Sequence, residues 1–190
     1  MKLAFMGISG AGKDYYVTHL VKTYSYTRLS FSDQLKRITK NIFPWIEQDY
    51  PPELKEKPLN IETSFGEEIT LSPREIWLKM NFLREIEDGI FVRMMKDEVI
   101  NLSRKFNKLI ELGEIPDFNP DKIVISDIRT PPEYKMCKEN GFKIIRIDAE
   151  KTIHNKHNFD EQIFQFEPDY IFKNDFDGVE KFDKFIRGIL

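Results

Sequence analysis

The first 24 residues constrain the fold more than any other part of the chain. Lys2–Met6 is a short apolar run typical of a buried strand, and it leads directly into Gly7–Lys13, which fits the phosphate-binding pattern G-x-x-x-x-G-K. In such a loop the glycines let backbone N–H groups surround an anion, while the next helix presents its positive end and the lysine reaches the outer phosphates. The sequence therefore predicts strand, phosphate-binding loop and helix; the alternative is a glycine-rich turn without a ligand.

Asp14 stands where this pattern usually has a serine or threonine. The usual hydroxyl ligates Mg²⁺, and a carboxylate is also a hard oxygen ligand, so Asp14 is a candidate metal ligand, either directly or through water. A negative charge beside phosphates also requires neutralisation by Mg²⁺ or by basic side chains. Asp14 is thus the most informative departure from the pattern.

Length and composition indicate a single globular domain in the cytoplasm. The 190 residues, 41% hydrophobic and 32% charged, can bury a sizeable core, and no apolar run approaches the roughly 18 residues of a membrane span. The apolar start leads into the glycine loop rather than a cleavage site, so we expect no secretory signal. One cysteine, Cys137, excludes an intramolecular disulfide, and the net charge of −3 argues against a nucleic-acid partner.

Short strands alternate with helices along the chain, which predicts a parallel sheet covered on both faces. The predicted strands are residues 2–6, 26–31, 122–126, 142–147 and 169–172. The second helix is predicted to be capped by Ser32 or Asp33 and to turn Leu35, Ile38 and Ile42 to one side. Its basic residues Lys36 and Arg37 are candidate substrate contacts; the alternative is a solvated basic face.

Two stretches break the alternation. Residues 43–71 contain four prolines, which predicts a loop-rich insertion, and its length suggests a lid or a flap that binds the acceptor substrate. Ser72-Pro73-Arg74-Glu75 then restarts a helix with a capping serine, and this places Arg74 at a helix start. Residues 148–166 are polar and irregular, and they are either a lid over the donor phosphates or a plain surface loop.

Asp127 and Arg129 follow the predicted strand at 122–126. Ligands of open α/β sheets bind beyond the carboxyl ends of the strands, so this pair and the loop at 7–14 are expected to converge. Arginine can grip phosphate oxygens with two hydrogen bonds, and Asp127 could orient Mg²⁺-bound water or the acceptor oxygen. The alternative is an ion pair that steadies a loop.

Five stretches, in order along nearly the whole chain, together resemble the deoxynucleoside monophosphate kinases of bacteriophages: GISGAGKD, SFSDQLKRI, SPREIW, VISDIRTPPEYKMCKENGFKIIRID and DYIFKNDFDGVEKF. The resemblance implies a P-loop kinase fold, with a five-stranded parallel sheet and helices on both faces. It also implies Mg²⁺-dependent transfer of the γ-phosphoryl group of ATP to a deoxynucleoside monophosphate, giving the diphosphate and ADP. In place of the glutamine and the glycine-threonine pair that this family usually carries after Ser-Pro-Arg, the chain has IWLKMN at 76–81.

The resemblance and the positions above together predict the site residues. Those that bind ATP are Ser9, Gly10, Ala11, Gly12, Lys13, Asp14 and Tyr15; those that bind the acceptor are Lys36, Arg37, Arg74, Arg84 and Arg129; those that act in transfer are Lys13, Asp127 and Arg129. The expected partners are ATP and a deoxynucleotide, with no membrane, for a monomer or homodimer in the cytoplasm, or the host cytoplasm if the protein is of phage origin.

Two other functions remain open. Another small P-loop phosphotransferase, such as a phosphomevalonate or dephospho-coenzyme A kinase, could use the same loop. A nucleotide-binding module that transfers nothing could also carry it.

Overall fold

The computed structural model describes residues 1–62, 64, 66, 68–149 and 162–190. They form two compact units, one of residues 1–31 with 92–190 and the other of residues 32–91. The strands are β1 Leu3–Met6, β2 Thr27–Leu29, β3 Ile61–Glu62, β4 Glu68–Ile69, β5 Ile123–Ile128, β6 Lys143–Asp148 and β7 Tyr170–Lys173. The helices are α1 Lys13–Tyr24, α2 Phe31–Ile42, α3 Pro52–Lys55, α4 Pro73–Met80, α5 Leu83–Ile86, α6 Ile90–Glu111, α7 Pro131–Glu139 and α8 Glu180–Arg187, with a short 3-10 helix at Gln162–Gln165.

The first unit is built on a five-stranded sheet in the order β2-β5-β1-β6-β7. Every pairing in it is parallel, which confirms the predicted α/β class with a five-stranded parallel sheet flanked by helices. All four residues of β1 are buried, as the central strand of a sheet covered on both faces requires. The carboxyl ends of all five strands therefore meet at one edge of the sheet.

Apolar side chains of α1 and α8 form the core of this unit with the strands. Tyr16 and Leu20 of α1 lie in one buried cluster with Phe5 of β1 and with Phe182 and Ile186 of α8. Burying each such side chain contributes about 1.5–3 kcal/mol. The helix that follows the glycine loop is thus held firmly against the sheet.

Several predicted boundaries were wrong; the strand predicted at 26–31, for example, spans only Thr27–Leu29. The strand predicted at 122–126 continues through Ile128, because its pairing with β1 extends to Ile128 opposite Met6, so Asp127 lies within the strand. Helix α2 begins at Phe31 rather than after a cap at Ser32 or Asp33, because the carboxylate of Asp127 in β5 accepts a hydrogen bond from the Phe31 N–H.

The second unit has a small apolar core of its own. Its buried members are Ile46, Ile76, Trp77 and Met80. Leu35 and Ile38 of α2 pack against this cluster as predicted, whereas Ile42 is 53% exposed and does not belong to the apolar face.

The region predicted as an insertion, 43–71, contains α3 and the antiparallel pair β3–β4 in addition to loops. The region predicted as a lid, 148–166, falls largely on residues 150–161, which lie outside the described residues. No helix in the described part of the chain has the length and apolar character needed to cross a membrane.

Candidate functional site

The predicted phosphate-binding loop joins the carboxyl end of β1 to the first residue of α1, Lys13. The Lys13 side chain is only 7% exposed, and its Nζ donates to the backbone oxygens of Gly7 at 2.6 Å and Ile8 at 2.8 Å. The Lys13 side chain thus folds back over the loop that precedes it, and the carbonyl groups of Gly7 and Ile8 stabilise its buried ammonium group. The result is a fixed positive charge at the start of a helix, where the positive end of the helix dipole also attracts anions.

Two positions in this loop admit only glycine. A Cβ atom on Gly7 would lie 2.6 Å from the backbone oxygen of Ile147, and a Cβ atom on Gly12 would lie 2.5 Å from Nδ2 of Asn174. Gly12 also has a φ of 90°, which side-chain-bearing residues rarely adopt. The glycines of the motif are therefore required by close approach of neighbouring groups as well as by loop conformation.

Asn174, at the carboxyl end of β7, contacts the loop directly. Its Nδ2 donates to the backbone oxygen of Ala11 at 2.9 Å, and its Oδ1 accepts from the Tyr16 hydroxyl at 2.6 Å. No motif predicted a role for Asn174. The signal that could have found it is its place just after a predicted strand, at the same sheet edge as the glycine loop.

Asp14 and Tyr15 lie in the first turn of α1 and are both exposed. Mg²⁺ usually keeps several waters and takes one or two carboxylates together with phosphate oxygens, so it does not need a cage of protein ligands. An exposed carboxylate next to Lys13 at a helix start fits that requirement. Among the described residues no cluster of three or more histidine, cysteine, aspartate or glutamate side chains forms a metal cage.

Both carboxylate oxygens of Asp127 accept hydrogen bonds. Oδ1 accepts from the backbone N–H of Phe31 at 2.9 Å, and Oδ2 accepts from the Ser30 hydroxyl at 2.7 Å. Asp127, which lies in strand β5, therefore caps the start of α2. A negative charge at this position also interacts favourably with the dipole of α2. Its predicted part in phosphoryl transfer remains a prediction, now alongside a structural role.

Arg129 follows β5 directly and is half-buried. Its backbone N–H donates to Oε2 of Glu133 at 2.8 Å, and the same oxygen accepts the Thr130 N–H at 3.0 Å. The glutamate half of the predicted capping box at the start of α7 is thus present. It fixes the backbone from which the Arg129 side chain extends.

Four of the predicted acceptor contacts belong to the second unit. Lys36 of α2 pairs with Asp49 at 3.1 Å, and its ammonium group lies 5.2 Å from the ring centre of Trp77. Arg37, also on α2, donates to the side-chain oxygen of Gln34. The basic face of α2 is therefore engaged with neighbouring side chains.

The other two predicted acceptor contacts in the second unit are Arg74 and Arg84. Arg74 lies in the first turn of α4, where Ser72 and Glu75 form the predicted capping box, and its Nε contacts a carboxylate oxygen of Glu56 at 2.5 Å. The Arg84 guanidinium lies 4.7 Å from the ring centre of Phe91. Both arginines are at least partly exposed, and the Arg74 side chain is 44% exposed.

The first unit thus brings one group of predicted residues to one sheet edge, and the second unit holds the rest. Because β1 and β5 are adjacent and parallel, the glycine loop, Asp127 and Arg129 all lie at the carboxyl ends of neighbouring strands. The predicted residues of the second unit are Lys36, Arg37, Arg74 and Arg84.

Comparison with known proteins gave one informative similarity. No family model matches the chain. Over 149 residues the chain is 26% identical to a protein of Acanthamoeba polyphaga mimivirus named "Putative deoxynucleotide monophosphate kinase". The matched stretch covers 77% of this chain and 72% of the viral protein. Most of both chains is therefore similar in sequence.

Proposed function

We propose that this protein is a nucleotide kinase that transfers the γ-phosphoryl group of ATP to a deoxynucleoside monophosphate. The observation that carries the proposal is the glycine loop at the carboxyl end of β1, closed by the buried Lys13 at the same sheet edge as Asp127 and Arg129. The similarity to the mimivirus protein supports a nucleotide kinase, and the resemblance of the motifs supports a deoxynucleotide as the acceptor.

Phosphoryl transfer needs positioned charge more than covalent chemistry. Lys13 supplies a cation that a nucleotide phosphate can reach by replacing the Gly7 and Ile8 carbonyls as its hydrogen-bond partner. Mg²⁺ bound with the nucleotide supplies further neutralisation of phosphate charge, and Asp14 is the residue that would hold it. The Glu133 cap fixes the backbone at Arg129, which suits a guanidinium group that grips the transferring phosphoryl group.

The acceptor monophosphate is proposed to bind the second unit. Arg74 combines a partly exposed guanidinium group with a capped helix start, so its side chain and the helix dipole act on an anion together. Lys36, Arg37 and Arg84 of the same unit are proposed to add positive charge around the monophosphate.

The experiment is an acceptor panel. Purified protein is incubated with ATP and MgCl₂ and with each of the deoxynucleoside and ribonucleoside monophosphates, phosphomevalonate and dephospho-coenzyme A, and ADP formation is followed. We expect ADP to form only with a deoxynucleoside monophosphate, and Lys13→Met to abolish it. ADP formation with another acceptor class would identify a different phosphotransferase, and ATP binding without ADP formation would identify a nucleotide-binding module.

A further inference from the structure

Asn174 is one of the most buried polar side chains of the first unit, with 4% exposure. Its Nδ2 donates to the Ala11 oxygen at 2.9 Å, and its Oδ1 accepts from the Tyr16 hydroxyl at 2.6 Å and from the Phe176 N–H at 2.9 Å. Its own backbone N–H donates to the oxygen of Asp148 at 2.7 Å, which ties it to the end of β6. The side chain is therefore held from three sides and can act as a rigid support.

The hydrogen bond to Ala11 sets the direction of one peptide group in the glycine loop. The Ala11–Gly12 peptide is trans, so its C=O and N–H point in opposite directions. Because the carbonyl oxygen of Ala11 is bound to Asn174, the N–H of Gly12 points away from Asn174. The absence of a side chain on Gly12 permits this close approach, since a Cβ atom there would lie 2.5 Å from Nδ2.

We propose that Asn174 is a positioning residue that orients the Ala11–Gly12 peptide so that the Gly12 N–H donates to a phosphate of the bound nucleotide. This inference rests on the proposed function only in requiring that the loop bind ATP. Backbone N–H groups of a glycine loop are effective phosphate donors because they are fixed before the anion arrives. A peptide free to rotate could instead turn its carbonyl oxygen toward the phosphate, and repulsion would follow.

The competing explanation is that Asn174 only supports the core through Tyr16, whose ring packs on Phe172 and Phe182 with centres 5.3 and 4.3 Å apart. The two hydrogen bonds of the Asn174 side chain can be separated by mutation. Asn174→Asp keeps an oxygen for Tyr16 and Phe176 but replaces the amide donor to Ala11 with an acceptor. Tyr16→Phe is the matched control, because it removes the hydrogen bond from the Tyr16 hydroxyl to Asn174 and leaves the hydrogen bond from Asn174 to Ala11.

The test is calorimetric titration of each protein with ATP and MgCl₂, together with acceptor kinetics and thermal melting. We expect Asn174→Asp to raise the Kd for ATP by about tenfold, the effect of one lost hydrogen bond together with misorientation of its peptide. The KM of the acceptor should stay at the wild-type value. Tyr16→Phe should lower the melting temperature and change the Kd for ATP by less than about twofold.

A folded Asn174→Asp protein that binds ATP as tightly as wild type would overturn the inference, and so would an equal loss of ATP affinity in Tyr16→Phe. Should the buried carboxylate prevent folding, Asn174→Ala removes the same donor without adding charge and is judged by the same two criteria. Wild-type protein that does not bind ATP would overturn the proposed function as well. Wild-type binding combined with unaffected Asn174 variants would overturn this inference alone.

Discussion

Gly12→Ala should destabilise the protein far more than an alanine at another glycine of similar backbone conformation. Gly12 has a φ of 90°, and its missing Cβ would lie 2.5 Å from Nδ2 of Asn174. Gly113 has a φ of 75° with nothing within 4 Å of its missing Cβ. Gly113→Ala is therefore a matched control that carries the conformational cost without the collision.

The magnitude follows from three contributions to the free energy of unfolding. The left-handed conformation costs a residue with a side chain about 1–2 kcal/mol, and this applies at both glycines. At Gly12 the overlap adds about 1–3 kcal/mol. Displacement of Asn174 from the Ala11 oxygen adds about 1 kcal/mol more. We expect a loss of about 3–6 kcal/mol for Gly12→Ala, against about 1–2 kcal/mol for Gly113→Ala.

The assay is urea unfolding followed by circular dichroism, with thermal melting as a second measure. For a chain of this size, each kcal/mol lost from the free energy of unfolding lowers the melting temperature by about 2–4 °C. The melting temperature of Gly12→Ala should therefore be measurably lower than that of Gly113→Ala. The same Gly12→Ala change in an Asn174→Ala background should cost no more than Gly113→Ala, because the colliding atom is gone. If Gly12→Ala and Gly113→Ala cost the same in the wild-type background, Asn174 does not approach the loop as described.

Three further predictions concern charged groups. Lys13→Met should reduce the turnover number with ATP by at least about a hundredfold while the circular dichroism spectrum stays unchanged, because a transition-state charge partner is lost; undiminished turnover would exclude Lys13 from the reaction. Asp127→Asn should lower the free energy of unfolding in urea by about 1–2 kcal/mol through weaker capping of Phe31, and an unchanged unfolding midpoint would contradict the capping role. A hydrogen bond from Tyr24 is the main cause, and one from His19 the second, of a lowered pKa for Asp183 in the folded protein. As the pH decreases below about 4, the unfolded chain therefore takes up a proton at Asp183 before the folded protein does, and the free energy of unfolding decreases. Urea unfolding across this pH range should show a shallower fall for Asp183→Asn, and identical pH curves would exclude this contribution.

The sequence by itself predicted the elements whose causes are local. The apolar run of β1, the glycine motif and the spacing along α1 predicted the strand, loop and helix at the start of the chain. The helix start at Ser72 was also predictable, since a capping box depends on residues three positions apart. Near-continuous β-branched character at 122–126 likewise predicted a buried parallel strand, which is β5.

Only the tertiary structure decided which distant residues meet at the sheet edge. Asn174 and Ala11 are 163 residues apart in sequence, and Asp127 and Phe31 are 96 apart, yet each pair forms a hydrogen bond. These contacts depend on the strand order, which brings β7, β1 and β5 into one sheet and which no local pattern encodes. Hence the first residue of α2 was misplaced from sequence, because its cap comes from β5, and Asn174 was overlooked, because its significance lies in the loop it touches.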